Sequence, residues 1–224
     1  MPTVSPIIQA AGIIDRAEAE LLIQCGVTHL GFPMRLDYHT PDCTDTQARD
    51  IIRHLPSHIA TVLITYQQDA REIGALTTLL GVDMVQLHGS ISVMEMERLR
   101  LLCPELGIIK SLVVAGSNLE ELKQVVRETA PFCDLFITDT FDPDTGAMGA
   151  TGKTHDWRVS RELIRLSPRP LILAGGLTPD NVGEAVCAVR PAGVDAHTGL
   201  EDTAGRKDRE KVRRFVENAL REFN

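Results

Sequence analysis

The 224-residue sequence predicts an α/β fold, a single (β/α)8 TIM barrel filling residues 1–224, on three observations. Eight short apolar runs, rich in β-branched residues, alternate with stretches of helical periodicity, the signature of repeated βα units around a parallel sheet. Two glycine-bearing turns, Ala174-Gly-Gly176 and His197-Thr-Gly199, follow the last two of those runs, where such barrels build a phosphate site. The length lies near the roughly 250 residues typical of one barrel and suffices to bury a sizeable core.

The elements follow in order. The first strand is read at Pro6–Ala11 and leads into a helix at Asp15–Cys25, with Asp15 as N-cap. The second unit is His29–Met34 and Thr44–His54, the third Ala60–Thr65 and Asp69–Leu80, and the fourth Met84–His88 and Ser92–Leu102. Their helices begin at Thr, Asp and Ser, whose side-chain oxygens satisfy the free N–H groups of a first turn. The fifth unit is Gly107–Leu112 and Leu119–Thr129, and the sixth Asp134–Asp139 and Asp156–Leu166. Between Thr140 and Thr154 the chain is too rich in glycine and turn residues for either regular element, and its place after a strand predicts an active-site lid. The last units are Pro170–Ala174 with Asn181–Val189 and Val194–Ala196 with Lys207–Phe223. Most of the strands are continuous apolar runs, as strands buried on both faces should be.

Composition excludes several partners. A net charge of −8 without a basic block argues against nucleic acid or an anionic membrane. No apolar run approaches the roughly 18 residues of a membrane span, and Met1-Pro-Thr-Val-Ser-Pro6 lacks the charged and apolar regions of a signal peptide, so a cytoplasmic protein is expected. The five cysteines are scattered, never spaced as a C-x-x-C pair, and read as reduced thiols. No cofactor is expected: the glycine pair lies near the C-terminus rather than in a nucleotide-binding strand–glycine–helix unit. Asp37, His39, His88 and Asp139 are residue types that a metal-dependent phosphopentose epimerase would use, yet nothing in their spacing compels a shared metal site.

Five segments, in this order and spacing, carry a resemblance through essentially the whole chain. They are Met84-Val-Gln-Leu-His-Gly89, Ile108-Ile-Lys110, Gly149-Ala-Thr-Gly-Lys-Thr-His-Asp-Trp157, Pro170-Leu-Ile-Leu-Ala-Gly-Gly176 with Leu177-Thr-Pro-Asp-Asn-Val182, and Gly193-Val-Asp195. Together they resemble phosphoribosylanthranilate isomerase of tryptophan biosynthesis. The resemblance implies an Amadori rearrangement of an N-(5-phosphoribosyl) amine, in which an acid opens the ribose ring and a base removes the C2′ proton. It implies Asp139 as the acid. It also implies that Gly175, Gly176, Thr198 and Gly199 hold the phosphate through backbone N–H groups, that Asp195 orients them, and that His88 borders the sugar. Lys110 is expected to point into the barrel or toward the ligand, and Asp156 and Trp157 to close the preceding loop.

The base departs from the pattern. The family's first strand ends in a Lys-Ile-Cys-Gly-type motif whose thiolate takes the proton, whereas here the segment reads Gln9-Ala-Ala-Gly12, and Ala11 accepts no proton. The family's carboxylate-binding Arg after strand two is also displaced, with Arg35 the candidate replacement. His197 stands where the family usually carries a small hydroxyl residue. Because strand eight neighbours strand one in a closed barrel, His197 is a candidate base, and His39 approaches the same space from the other side. Three readings stay open: an isomerase of this type with a replacement base, a paralogue with other phosphosugar chemistry, and a non-catalytic phosphosugar binder. Each takes a phosphorylated ribosyl small molecule, as a monomer or homodimer.

Overall fold

Eight parallel strands pair in chain order, and the eighth pairs with the first, closing the barrel. The structure is a computed structural model describing residues 5–36, 42–116, 118–140 and 154–223. The first half comprises β1 (Ile7–Ala11), α1 (Arg16–Gln24), β2 (His29–Pro33), α2 (Asp45–Ile52), β3 (Ala60–Thr65), α3 (Ala70–Leu80), β4 (Met84–Leu87) and α4 (Val93–Leu102). The second comprises β5 (Gly107–Val114), α5 (Leu119–Thr129), β6 (Leu135–Thr140), α6 (Trp157–Leu166), β7 (Leu171–Leu173), α7 (Val182–Val189), β8 (Gly193–Ala196), a 3₁₀ turn at Thr198–Leu200, and α8 (Arg209–Phe223).

Side chains alternate across each strand, which gives the molecule two cores. Ala11, Val62, Ile64, Ile109, Ile137 and Ile172 fill the barrel, while Ile8, Leu30, Leu63, Leu87, Ile108 and Phe136 pack outward against the helices. The alternation also places Lys110. It pairs in register with outward-facing Leu87 and Phe136, so it points into the barrel no more than at a ligand, contrary to both expectations. Its ammonium is buried and donates to the carbonyls of Leu87 (3.3 Å), Gly89 (3.1 Å) and Ser111 (3.1 Å), and burial lowers its pKa to about 8.

Helix starts follow the expected caps. Asp15, Thr44, Asp69, Ser92 and Asp156 each accept a backbone N–H of the following first turn, and Thr44 completes a capping box with Gln47. Asn118 and Asn181 do something else. Asn118 accepts from Ala115 N (3.0 Å) and donates to Val113 O (2.9 Å). Asn181 accepts from Thr178 N (2.8 Å) and donates to Gly176 O (3.0 Å), which braces the loop after β7.

At the opposite end of the barrel two aspartates tie neighbouring strands together. Asp83 Oδ2 accepts from the N–H (2.8 Å) and hydroxyl (2.7 Å) of Thr61, joining the starts of β3 and β4. Asp134 Oδ2 accepts from Ile108 N (2.8 Å) and from the Arg100 guanidinium (2.6 Å), joining β5 and β6.

Candidate active site

The C-terminal ends of the strands surround a cavity of about 440 Å³, lined by Ala11, Tyr66, Gln86, His88, Asp139, Gly175, Gly176, Asp195, His197, Thr198, Gly199 and Glu201, among others. Three chemically different walls make it up.

The acid wall is built on β6 and β4. Asp139 faces inward, two residues beyond the core residue Ile137, and its side chain is 14% exposed. Oδ1 accepts from Thr140 N at 2.7 Å, and Oδ2 lies 3.7 Å from His88 Nε2. Burial raises the Asp139 pKa to about 7, against the lowering influence of the Thr140 N–H and of His197. A carboxyl in this state holds a proton at neutral pH and can give it up, which is what a general acid needs. His88 is steadied by Ser111 Oγ, 3.1 Å from Nδ1, and by the edge of Tyr66, with ring centroids 4.7 Å apart. Behind them Gln9 donates to Gln86 (3.1 Å), and Gln86 donates to Ser111 (3.5 Å), so a polar row crosses the apolar barrel interior. Asp195, inward-facing on β8, has a buried Oδ1 without a hydrogen-bond partner, and its pKa is also raised to about 7, first by burial and then by Asp139.

The second wall is where the thiol is missing. Ala11 is buried beside Gly31, where an added Cβ would sit 3.3 Å from the Ala11 methyl. Strand pairing runs Gln9 with Asp195 and Ala10 with Ala196, so the next step of the register sets His197 alongside Ala11. The imidazole lies over Gly12: a Cβ there would fall 2.1 Å from His197 Nε2, and Gly12 has φ +81°. Glycine is therefore required twice, by conformation and by space. His197 Nε2 is 3.2 Å from Glu201 Oε1, and the pair is 26% and 17% exposed.

The third wall is backbone. Gly175 (φ +99°) and Gly176 (φ +63°) turn the chain after β7, and a Cβ on Gly175 would lie 2.1 Å from Thr140 Oγ1. A Cβ on Gly199 would lie 2.0 Å from the Leu177 carbonyl, so the loops after β7 and β8 touch backbone to backbone. Among the described residues, no backbone carbonyl accepts from the N–H groups of Gly176, Thr198 or Gly199. Adjacent unspent donors of this kind make an anion-binding concavity.

The predicted residues are thus brought together with two exceptions. Arg35 does not line the cavity; with φ +55° its guanidinium makes a bidentate pair with Asp45 of α2 (2.8 and 2.5 Å). His39, Asp37 and the predicted lid lie outside the described residues. Glu201 and Tyr66 carry no motif of their own in the sequence, and Gln86 lies within the strand-four segment without being singled out there, yet all three line the cavity. The available signal for Glu201 is its place four residues after His197, a spacing that brings side chains together on a helical turn. No group of three or more His, Cys, Asp or Glu side chains among the described residues could hold a metal ion.

Comparison with known proteins gives one consistent answer. A family model described as N-(5'phosphoribosyl)anthranilate (PRA) isomerase matches residues 10–218. The chain is 40% identical over 220 residues to N-(5'-phosphoribosyl)anthranilate isomerase 2 of Methanosarcina mazei, covering 96% of this chain and 95% of that protein. It is 36% identical to the isomerase of Desulforudis audaxviator, covering 95% and 97%. Among solved structures, phosphoribosyl anthranilate isomerase from Thermotoga maritima superposes with a TM-score of 0.80 at 26% identity, covering 96% of this chain and 98% of that one.

Proposed function

The chain belongs to the N-(5'-phosphoribosyl)anthranilate isomerase family, and on that premise we propose that it isomerises phosphoribosylanthranilate with Asp139 as general acid and His197 as general base. The observation that carries this reading is the position of Asp139, which faces the cavity from a strand end with its pKa raised to about 7. The protonated carboxyl gives its proton to the ribose ring oxygen while the C1′–O bond breaks and the amine lone pair forms the C1′=N iminium. His197 then removes the C2′ proton, and the C–H electron pair becomes the C1′=C2′ bond of the enolamine. Loss of the 2′-hydroxyl proton and gain of one at C1′ complete the ketone. An acid and a base from different strands of one barrel suit this sequence, because each needs its own environment.

Gly176, Thr198 and Gly199 receive the phosphate in this reading through their free N–H groups, with Gly175 allowing the close turn. Asp195, beside them on β8, takes a sugar hydroxyl or orients the loop, and His88 keeps Asp139 in place. The chain works as one domain in the cytoplasm, as a monomer or homodimer, on a small phosphoribosyl amine rather than on nucleic acid. Its charge of −8 supports the last point. No described helix is long and apolar enough to cross a membrane.

Asp139→Asn tests the reading. It keeps the shape and removes the transferable proton, so kcat should fall by about 10²-fold or more with KM little changed. A variant that turns over at the wild-type rate, or that restores growth to a tryptophan auxotroph lacking the isomerase as well as wild type does, would reduce Asp139 to a strand cap.

A further inference from the structure

Behind His197 runs a set of charges that the acid–base assignment leaves unused. Glu201 Oε1, 3.2 Å from His197 Nε2, is also 2.7 Å from Lys207 Nζ. The Lys207 side chain is 1% exposed, and its backbone N–H donates to Glu18 Oε1 of α1 at 2.9 Å. Glu18 in turn meets Arg206 (3.9 Å), which pairs with Asp15 (2.8 Å). A fixed anion offsets the lost hydration of an ammonium buried this deeply, and the anion beside Lys207 is Glu201. Its carboxylate is held at a pKa of about 2, first by the contact with His197 and then, against burial, by Lys207.

The consequence concerns which ring nitrogen is free. A neutral imidazole carries one N–H, and an ionised carboxylate only accepts, so the nitrogen facing Glu201 is the protonated one. The lone pair then lies on Nδ1. The contact at Nε2 is an ion-pair distance rather than an aligned hydrogen bond, no described residue bonds Nδ1, and the ring lines the cavity with Ala11. Among the described residues, the other charged groups acting around the ring are Asp139 on β6, Asp195 on β8 and, through Glu201, Lys207 ahead of α8, while the end of β1 presents Ala11 and is followed by Gly12.

We infer that Glu201, backed by the buried Lys207, is a positioning residue that fixes His197 over Gly12 as the Nε2–H tautomer and presents Nδ1 to the C2′ proton. This rests on the reading of His197 as the base. In the proton-transfer step Nδ1 gains the C2′ proton, the imidazolium stays paired with the Glu201 carboxylate, and the bonding electrons go to the enolamine.

The experiment compares wild type, His197→Ala, Glu201→Gln and the double variant Glu201→Gln/Lys207→Met in kcat, KM and Tm. Glu201→Gln should lower kcat about tenfold or more with KM nearly unchanged, because the ring loses the carboxylate that orients it. Since that variant strands Lys207, its Tm should fall, and the double variant should recover the Tm while kcat stays low. Nitrogen-15 spectra of wild type should show His197 protonated at Nε2 and not at Nδ1. A wild-type rate in His197→Ala would remove the base reading and this inference with it. Loss of activity in His197→Ala, with wild-type kcat in Glu201→Gln or in the double variant, would overturn the positioning role alone. So would an Nδ1–H ring.

Discussion

Two aspartates with raised pKa values face one cavity, and that is a stability statement as well as a catalytic one. Burial lifts both Asp139 and Asp195 to about 7, from about 4 for a free carboxyl, and the charge of Asp139 lifts Asp195 further. Between those limits the native state binds protons that the unfolded chain has released. Stability conferred by the protonated carboxyls is therefore complete below about pH 4 and is lost as pH rises through 7. Asp195→Asn is neutral throughout and removes its share of the slope. Its Tm should exceed that of wild type at pH 8 by a few degrees, on the order of 1–3 kcal/mol, and the gain should vanish toward pH 4. Thermal unfolding across that range decides it, and a difference that does not change with pH would mean the carboxyl is not strained by burial. If Asp139 is the general acid proposed above, the same logic gives kcat/KM a basic limb near pH 7, since it must then hold its proton to act. Asp139 was legible in the sequence because the resemblance sets the acid at the end of the sixth apolar strand, where this chain has an Asp. The role of Gly12 was not, since only the structure shows an imidazole where its Cβ would be.

At the scale of elements, all eight βα units stand where apolar periodicity and capping residues put them, and the differences have tertiary causes. Strand β5 runs past Leu112 to Val114 because β6 continues to Thr140 and pairs with it, Val113 with Asp139 and Val114 with Thr140. Helix α8 starts at Arg209 rather than Lys207 because Lys207 is held in a bridge to Glu201. A partner strand or a buried ion pair leaves no local mark on the sequence. Nor does the diversion of Arg35, which depends on Asp45 lying within reach at the start of α2. The strand-start aspartates permit a test of how cleanly the barrel separates its two ends. Asp83→Ala strips Thr61 of the partner for both its N–H and its hydroxyl, far from the cavity. It should cost about 1–2 kcal/mol, roughly 2–8 °C in Tm, with kcat and KM unchanged. A drop in kcat without a drop in Tm would show that this end communicates with the chemistry.

On the scale of the whole molecule, closure of the sheet makes the site, because the proposed acid, base and phosphate donors come from β6, β8 and the loops after β7 and β8. Those two loops depend on one contact. Gly199 lies so close to the Leu177 carbonyl that any Cβ forces the loops apart, and the brace from Asn181 to Gly176 fixes one side of the gap, so the β8 loop must give way. If the free N–H groups of Gly176, Thr198 and Gly199 bind phosphate, a phosphorylated ribose should stabilise wild type. At about a hundred times its Kd the gain is roughly 2.7 kcal/mol, or about 5–10 °C in Tm. Gly199→Ala should remain folded, since the two cores lie elsewhere, with a modestly lower Tm in the absence of ligand. Its ligand-induced shift should nevertheless disappear, because the donors no longer converge. Thermal shifts with ribose 5-phosphate, and with ribose as the control lacking the anion, separate the possibilities. Equal shifts from both sugars would place recognition on the sugar alone, and a full phosphate-dependent shift in Gly199→Ala would place the phosphate outside the paired loops.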